Sequence, residues 1–124
     1  MYSSRLDRET AYDLYQRGRR LLADGNPHSA ATVLTRAKLL EPEKASIRES
    51  LGRALFMSGR PCPARREFAK AVQLNPADDF AHFALARACE RTGQRLRGLA
   101  HAKLAVALHP GVEEYERVLR RLST

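Results

Sequence analysis

Proline recurs at a fixed interval in this sequence. Pro42, Pro76 and Pro110 follow one another at a spacing of 34 residues. A constant period of this length is typical of a chain that builds the same supersecondary unit several times, with each unit stacked on the one before it. The proline spacing therefore predicts a repeat architecture, and the remaining residues are best compared at this period.

Other residue types keep the same period. The clearest aligned columns are Gly25, Gly59 and Gly93, then Ala37, Ala71 and Ala105, then Leu40, Leu74 and Leu108. Between the glycine and proline of each unit, and between each proline and the next glycine, apolar residues recur at steps of three and four, which is the helical period. Each unit is therefore predicted to consist of two helices.

The glycines and prolines mark where these helices end. A glycine can adopt the left-handed conformation that closes a helix, and Asn26-Pro27 and Cys62-Pro63 then offer a cap residue followed by proline in the first turn. The periodic prolines lack a backbone N–H and disfavour helix at the preceding residue, so each is expected to end the second helix of its unit.

These positions resemble the tetratricopeptide repeat family, whose 34-residue unit has the pattern W-x2-L-G-x2-Y, then A-x3-F, then P. The matching residues are Leu14, Arg17, Gly18, Leu21, Ala30, Leu34 and Pro42; Arg48, Leu51, Gly52, Leu55, Ala64, Phe68 and Pro76; and His82, Leu85, Ala86, Cys89, Gly98, Ala102 and Pro110. The third unit departs most from the pattern. The resemblance covers the chain from about Ala11 to Val112.

The resemblance implies an all-α fold, an α-solenoid of three helix-turn-helix repeats and a capping helix, with seven helices in total. The expected organisation is a lead-in containing the start of the first helix at 1–10, repeats at 11–44, 45–78 and 79–112, and the capping helix at 113–124.

The two ends of the array differ in polarity. Where the later units carry apolar residues for packing against the preceding unit, the first has Asp13, Arg17 and Arg20. The last segment instead has Tyr115, Val118, Leu119 and Leu122 on one face, which can cover the third repeat. Polar outer faces of this kind keep the ends of a solenoid soluble.

In this family the first helices line a concave groove that holds peptide ligands, and the resemblance implies the same surface here. The expected groove residues are Tyr12, Tyr15, Arg19, Leu22, Glu49, Arg53, Phe56, Phe80, Phe83, Arg87 and Arg121. The four arginines keep the 34-residue period and would form a row. Arginine forks bind carboxylates, and the rings could cover apolar side chains, which predicts an acidic, partly apolar peptide or helix as the partner. The alternative is that the arginines form a solvated face and the aromatic residues only pack.

A subtype of the family clamps the carboxylate tails of chaperones with Lys and Asn at five groove positions. The corresponding residues here are Tyr15, Arg19, Ser50, Phe80 and Ala84. Because only Arg19 can hold a carboxylate, we do not expect that particular clamp.

The charge leaves a second class of function open. The formal net charge is +8, with 18 Arg against 4 Lys. A basic patch could bind RNA or DNA without reading sequence, through Arg60, Arg65, Arg66, Lys70, Arg91, Arg95, Arg97 and Lys103. No recognised nucleic-acid motif is present, and the aromatic residues fall elsewhere. Self-association into a homo-oligomer through exposed repeat surfaces is a further possibility.

Catalysis and cofactor binding are not expected. Neither a nucleophile with a base nor a metal-ligand spacing or phosphate loop occurs, and the four histidines have the pattern of packing or surface residues. Cys62 and Cys89, 27 residues apart, fit neither a disulfide framework nor a zinc site, so reduced thiols are expected. With no signal-peptide or membrane-spanning pattern, the sequence predicts a cytoplasmic protein that does not bind membranes.

Overall fold

The computed structural model describes residues 9–124, and within them the regular structure is seven α-helices. They are α1 Ala11–Ala23, α2 Pro27–Leu40, α3 Ala45–Met57, α4 Pro61–Leu74, α5 Asp79–Arg91, α6 Arg95–Leu108 and α7 Glu113–Ser123. No helix in this part of the chain is long and apolar enough to cross a membrane. The predicted α-solenoid of three helix pairs and a final helix is confirmed.

The first helix begins at Ala11, after a reciprocal cap. The Thr10 hydroxyl accepts a hydrogen bond from the Asp13 backbone N–H at 3.1 Å, and the Asp13 carboxylate accepts one from the Thr10 N–H at 3.2 Å. This capping box satisfies two N–H groups that the helix itself cannot pair. Residues 1–8 of the expected lead-in lie outside the described part of the chain.

Glycine closes the first helix of every pair. Gly25 has φ of 80°, and the next residue, Asn26, donates its backbone N–H to the carbonyl of Leu21 at 2.8 Å. The same closure follows α3 and α5, because only glycine adopts this conformation without strain. The second helix of the second pair starts at Pro61, with Arg60 as its cap, so the prediction of a cap at Cys62 was wrong by two residues.

The two helices of a pair approach closely because a small residue faces a larger one. A Cβ atom built on Gly52 would lie 2.5 Å from the ring of Phe68, and one on Gly18 would lie 2.5 Å from Cγ of Leu34. In the third pair the same columns hold Ala86 and Ala102. At the crossing, a glycine faces a large side chain in the first and second pairs, and two alanines face each other in the third pair.

Neighbouring pairs are joined by the apolar faces that the sequence predicted. On α3 and α5 the residues facing the preceding pair are all buried: Ile47, Leu51, Ala54, Ala81, Leu85 and Ala88. Each second helix packs on the first helix of the next pair, and successive first helices also touch. On α7, Tyr115, Val118 and Leu122 are buried, so this helix covers the third repeat as expected.

One pair of facing columns changes chemistry from repeat to repeat. The first repeat has Leu14 and Val33, the second has Arg48 and Glu67, and the third has His82 and His101. Arg48 donates to Glu67 at 3.1 Å and to the Pro42 carbonyl at 2.9 Å. The two histidines reproduce this layout, with their Nδ1 atoms 3.0 Å apart and His82 Nε2 at 2.8 Å from the Pro76 carbonyl.

Replacing Gly52 with alanine tests the close approach. The added methyl group meets a ring that is 2% exposed and has little room to move. We expect Gly52→Ala to lower the free energy of unfolding by about 1 to 3 kcal/mol, the usual effect of overpacking a core. Arg53→Ala, at the exposed neighbouring position, should change it by less than about 0.5 kcal/mol. Urea unfolding followed by circular dichroism measures both, and equal effects would contradict the packing described here.

The histidine pair predicts a loss of stability in mild acid. Burial, and then His82 and Arg97, lower the pKa of His101. A histidine with a lowered folded pKa stabilises the fold above its unfolded pKa of about 6.5, and this stabilisation is lost as the pH falls below that value. We expect His82→Leu with His101→Val, copied from the first repeat, to lose less stability between pH 7.5 and 5.5 than the wild type. His28→Gln, at an exposed site, should keep the wild-type loss, and an unchanged loss in the double variant would contradict the prediction.

Candidate peptide-binding groove

The first helices α1, α3, α5 and α7 stand side by side, and the surface they form is called the groove below. Ten of the eleven side chains expected on this surface are exposed or half-buried: Tyr12, Tyr15, Arg19, Glu49, Arg53, Phe56, Phe80, Phe83, Arg87 and Arg121. Leu22 differs from the expectation. It is 6% exposed and packs in the core with Ala30 and Leu34, because α2 folds back over that side of α1.

Between α3 and α5 the groove contains a pocket of about 130 Å³, called the aromatic pocket here. Its lining residues are Arg53, Phe56, Met57, Phe68, Phe80, Phe83, Ala84 and Arg87. A buried apolar cavity of about 150 Å³ is known to hold a benzene molecule, so this pocket has room for one ring or one branched aliphatic side chain. Sequence reasoning missed Met57, although it lies one helical turn after Arg53.

Guanidinium groups lie over the rings of this pocket. The Arg87 guanidinium is 5.0 Å from the centroid of Phe56 and 5.9 Å from that of Phe83, and the Arg91 guanidinium is 5.3 Å from Phe56. Within residues 9–124, Arg53, Arg87 and Arg91 make no ion pair with a carboxylate closer than 4.0 Å. Stacking on a ring orients an arginine without neutralising it, so the guanidinium groups of Arg87 and Arg91 are oriented and still open to a ligand.

A second, larger pocket of about 240 Å³ lies between α1 and α3. It is lined by Ala11, Tyr12, Tyr15, Glu41, Lys44, Ser46 and Ile47. Tyr12 is 65% exposed, and the Arg19 guanidinium lies 5.6 Å from the centroid of Tyr15. The first repeat therefore also has an arginine over an aromatic ring, as the third repeat does with Arg87.

The fourth arginine of the expected row is already bound within the protein. Arg121 donates two hydrogen bonds to the carboxylate of Glu90, at 2.6 and 2.8 Å. These bonds hold the pKa of Glu90 below its usual range. A two-point contact of this kind joins α5 to α7 and leaves Arg121 less able to bind a ligand than Arg53 or Arg87.

The part of the groove near the start of α5, away from the arginines near its end, is acidic. Burial raises the pKa of Glu49 to about 7, helped by Asp78 and opposed by Arg53. Its neighbour Asp79 accepts a hydrogen bond from the Tyr115 hydroxyl at 2.7 Å, which lowers the pKa of Asp79. Burial, and then this hydrogen bond, raise the pKa of Tyr115. The groove therefore has carboxyl groups near the start of α5 and arginines near its end.

The remaining sites predicted from the sequence lie apart from the groove or in the core. Cys62 is exposed on α4, whereas Cys89 is buried, and burial raises the pKa of its thiol. In the described part of the chain no group of three or more His, Cys, Asp or Glu side chains is arranged to hold a metal ion.

The second helices border larger clefts on the outer side. One of about 500 Å³ between α2 and α4 includes Lys38, Arg60, Arg66 and Glu67 among its lining residues. Another, of about 350 Å³, is lined by Arg65, Arg66, Ala69, Lys70, Gln73 and Arg97. These clefts hold much of the basic patch that the sequence predicts, and among residues 9–124 none of their lining residues is Phe, Tyr or Trp.

Comparison with known proteins identifies the class of fold. No family sequence model matches the chain, and none of the curated proteins matches it either. Solved structures do match. The first tetratricopeptide domain of Spaghetti (RPAP3), bound to the HSP90 peptide SRMEEVD, is 19% identical with a TM-score of 0.87, over 92% of this chain and 90% of that one.

Two further solved structures support the same class. The second tetratricopeptide domain of human RPAP3, in complex with the HSP70 peptide SGPTIEEVD, is 17% identical with a TM-score of 0.86, over 92% of this chain and 95% of that one. A double mutant of MamA from RS-1 is 25% identical with a TM-score of 0.90, over 97% of this chain and 67% of that one. The chain has the tetratricopeptide-repeat fold, three repeats followed by a capping helix.

The acidic edge can be tested by direct titration. We expect carbon-detected NMR to give Glu49 a pKa of about 7. Asp78→Asn should lower this pKa, because it removes a neighbouring negative charge and keeps a side-chain acceptor for the Ala81 N–H. Asp24→Asn, at an exposed site outside the groove, is the control and should leave the pKa of Glu49 unchanged. A Glu49 pKa of about 4.5 in the wild-type protein would contradict the burial described here.

Proposed function

We propose that the protein is a non-enzymatic interaction adaptor that holds an acidic, partly apolar peptide or helix of a partner protein in its groove. The observation that carries this proposal is the aromatic pocket, where Arg53 and Arg87 stand beside Phe56, Phe80 and Phe83. An apolar side chain of the ligand enters the pocket, and carboxylates on either side of it meet the two guanidinium groups.

Two physical features favour binding at this place. The pocket buries an apolar side chain against rings, which stabilises a complex by about 25 cal/mol for each Å² of apolar surface removed from water. Arg87 is already held over Phe56 and Phe83, so binding a carboxylate requires little further ordering of that side chain. The pocket supplies affinity, and the arginines select for acidic neighbours.

The related structures support a peptide ligand but not the same contacts. The two RPAP3 domains bind peptides that end in Glu-Glu-Val-Asp. At the positions where the family's carboxylate clamp has Lys and Asn, this chain has Tyr15, Arg19, Ser50, Phe80 and Ala84, and both Ser50 and Ala84 are buried. Acid recognition is therefore assigned to Arg53 and Arg87, next to the aromatic pocket, and not to that clamp.

The location of the rings also separates this proposal from nucleic-acid binding. Rings that stack on bases belong among the cations that bind phosphates. Here the groove has the aromatic residues, and the outer clefts with Arg65, Arg66 and Arg97 have none. This arrangement supports a protein ligand for the groove.

Charge reversal at the pocket tests the proposed function. The probe is a fluorescein-labelled peptide, Glu-Asp-Glu-Phe-Glu-Asp-Glu, with a second peptide in which Ser replaces Phe. We expect Arg53→Glu with Arg87→Glu to weaken binding of the Phe peptide by about 100-fold, since two charge-assisted contacts are replaced by repulsion. Fluorescence anisotropy at physiological salt gives the dissociation constants.

The control is Arg66→Glu with Arg97→Glu on the outer side, which changes the net charge by the same amount. This control should weaken binding less than about threefold at that ionic strength, because screening limits distant charges. Equal losses in the two double variants, or equal binding of the Phe and Ser peptides, would contradict the proposal. Circular dichroism confirms that both variants remain helical.

A further inference from the structure

The outer face of α6 is apolar, although no other helix of the structure covers it. Leu96 is 75% exposed, Leu104 is 45% exposed and Leu108 is 43% exposed, and Ala100 lies exposed between the first two. These four residues, called the α6 stripe, follow one another at steps of four and so share one side of the helix. A surface helix normally turns charged or polar residues toward water, which makes this exposed apolar side unusual.

In the first two repeats, the same face carries mainly polar or charged residues. In the columns of Leu96, Ala100 and Leu104, the first repeat has His28, Thr32 and Arg36, and the second has Cys62, Arg66 and Lys70. Only the third repeat has leucine there. Because the three units share one backbone plan, the difference belongs to this face and is not required by the fold.

Positive charge borders the α6 stripe. The three second helices carry eight Lys and Arg residues and one acidic residue, Glu67. Glu67 is 9% exposed and already binds Lys38 and Arg48, so it offers no free carboxylate to a partner. Arg97 lies on one side of the stripe, at the cleft that contains Arg65, Arg66 and Lys70, and the exposed Lys103 lies on the other.

We propose that the α6 stripe is a docking surface for an acidic amphipathic helix of a partner protein, separate from the groove. Leucines of such a helix pack against Leu96, Ala100 and Leu104, and its carboxylates meet Arg97 and Lys103. The small side chain of Ala100 lets the two backbones approach at the middle of the stripe. A 14-residue helix is about 21 Å long, so a partner helix of about four turns matches it.

The positive charges beside the α6 stripe determine which kind of binding partner fits it. A second copy of the chain would bring the cations of two α6 helices together, with no free carboxylate on the second helices to offset them. The neighbouring helix α7 turns polar residues, including Glu116 and Arg120, away from its buried side, so it adds no apolar surface. An acidic helix satisfies both the leucines and the cations.

Binding to two designed peptides tests this proposal. Both have Leu at steps of three and four over about four turns, with Glu at the flanking positions in one and Lys in the other. The measurement uses the full chain carrying Arg53→Glu and Arg87→Glu, in which capture of acidic peptides by the groove is weakened. We expect the Glu peptide to bind this chain, and Leu96→Gln with Leu104→Gln to weaken that binding at least about tenfold. Leu39→Gln with Leu40→Gln, on α2, is the matched control and should leave it unchanged, since Leu39 is 74% exposed, like Leu96.

Several results would overturn the proposal. These are no binding of the Glu peptide at about 1 mM, equal binding of the Lys peptide, or equal losses in the two leucine variants. A dimer in analytical ultracentrifugation that Leu96→Gln disrupts would assign the stripe to a second copy instead. RNA oligonucleotide binding that falls steeply with salt and survives Leu96→Gln, without Glu-peptide binding, would assign this side to nucleic acid. Because Arg53→Glu with Arg87→Glu weakens capture of acidic peptides by the groove, Glu-peptide binding that persists in this background and is lost with Leu96→Gln belongs to the α6 stripe, which separates this surface from the groove.

Discussion

The structure depends on how closely the two helices of each pair approach one another. Where Phe68 crosses α3, only glycine fits at position 52, and where Leu34 crosses α1, glycine again stands opposite at position 18. The third pair reaches the same crossing with Ala86 and Ala102. This constraint fixes the angle between helices within a pair and therefore the way successive pairs stack. The common alignment of α1, α3 and α5, and with it the groove, follows from that stacking.

Two separate surfaces, the groove and the outer side, result from this stacking. On the groove side, Phe56, Phe80 and Phe83 form a pocket that Arg53 and Arg87 border, and the guanidinium of Arg87 lies over two of the rings. On the outer side, the second helices carry most of the excess positive charge, and α6 adds the exposed apolar residues of the α6 stripe to it. Each surface combines apolar and basic groups, so the two proposals together predict that one solenoid holds two acidic segments at once. Separate surfaces would keep these two segments from competing for one site.

Much of the fold follows from the sequence, whereas the detail of the groove does not. The 34-residue period predicts the six helices of the three repeats, because glycine and proline act locally on the backbone. The role of Arg121 depends on Glu90, 31 residues earlier, and no local pattern reveals that contact. Leu22 is buried because α2 crosses over it. The Arg91 guanidinium lies beside the aromatic pocket because it packs over the ring of Phe56 on the neighbouring helix α3. Side-chain partners across helices depend on the packing angle, which the period alone does not specify.

The most direct measurement of the central constraint is the proton NMR spectrum of Gly52. With the ring of Phe68 packed against this residue, its α protons should be shifted strongly upfield by the ring current and should show nuclear Overhauser contacts to the ring protons. The same contacts should be absent in Phe68→Leu, while circular dichroism stays helical. Gly52 α protons at ordinary random-coil positions, without contacts to Phe68, would contradict the packing from which the groove and the outer face both follow.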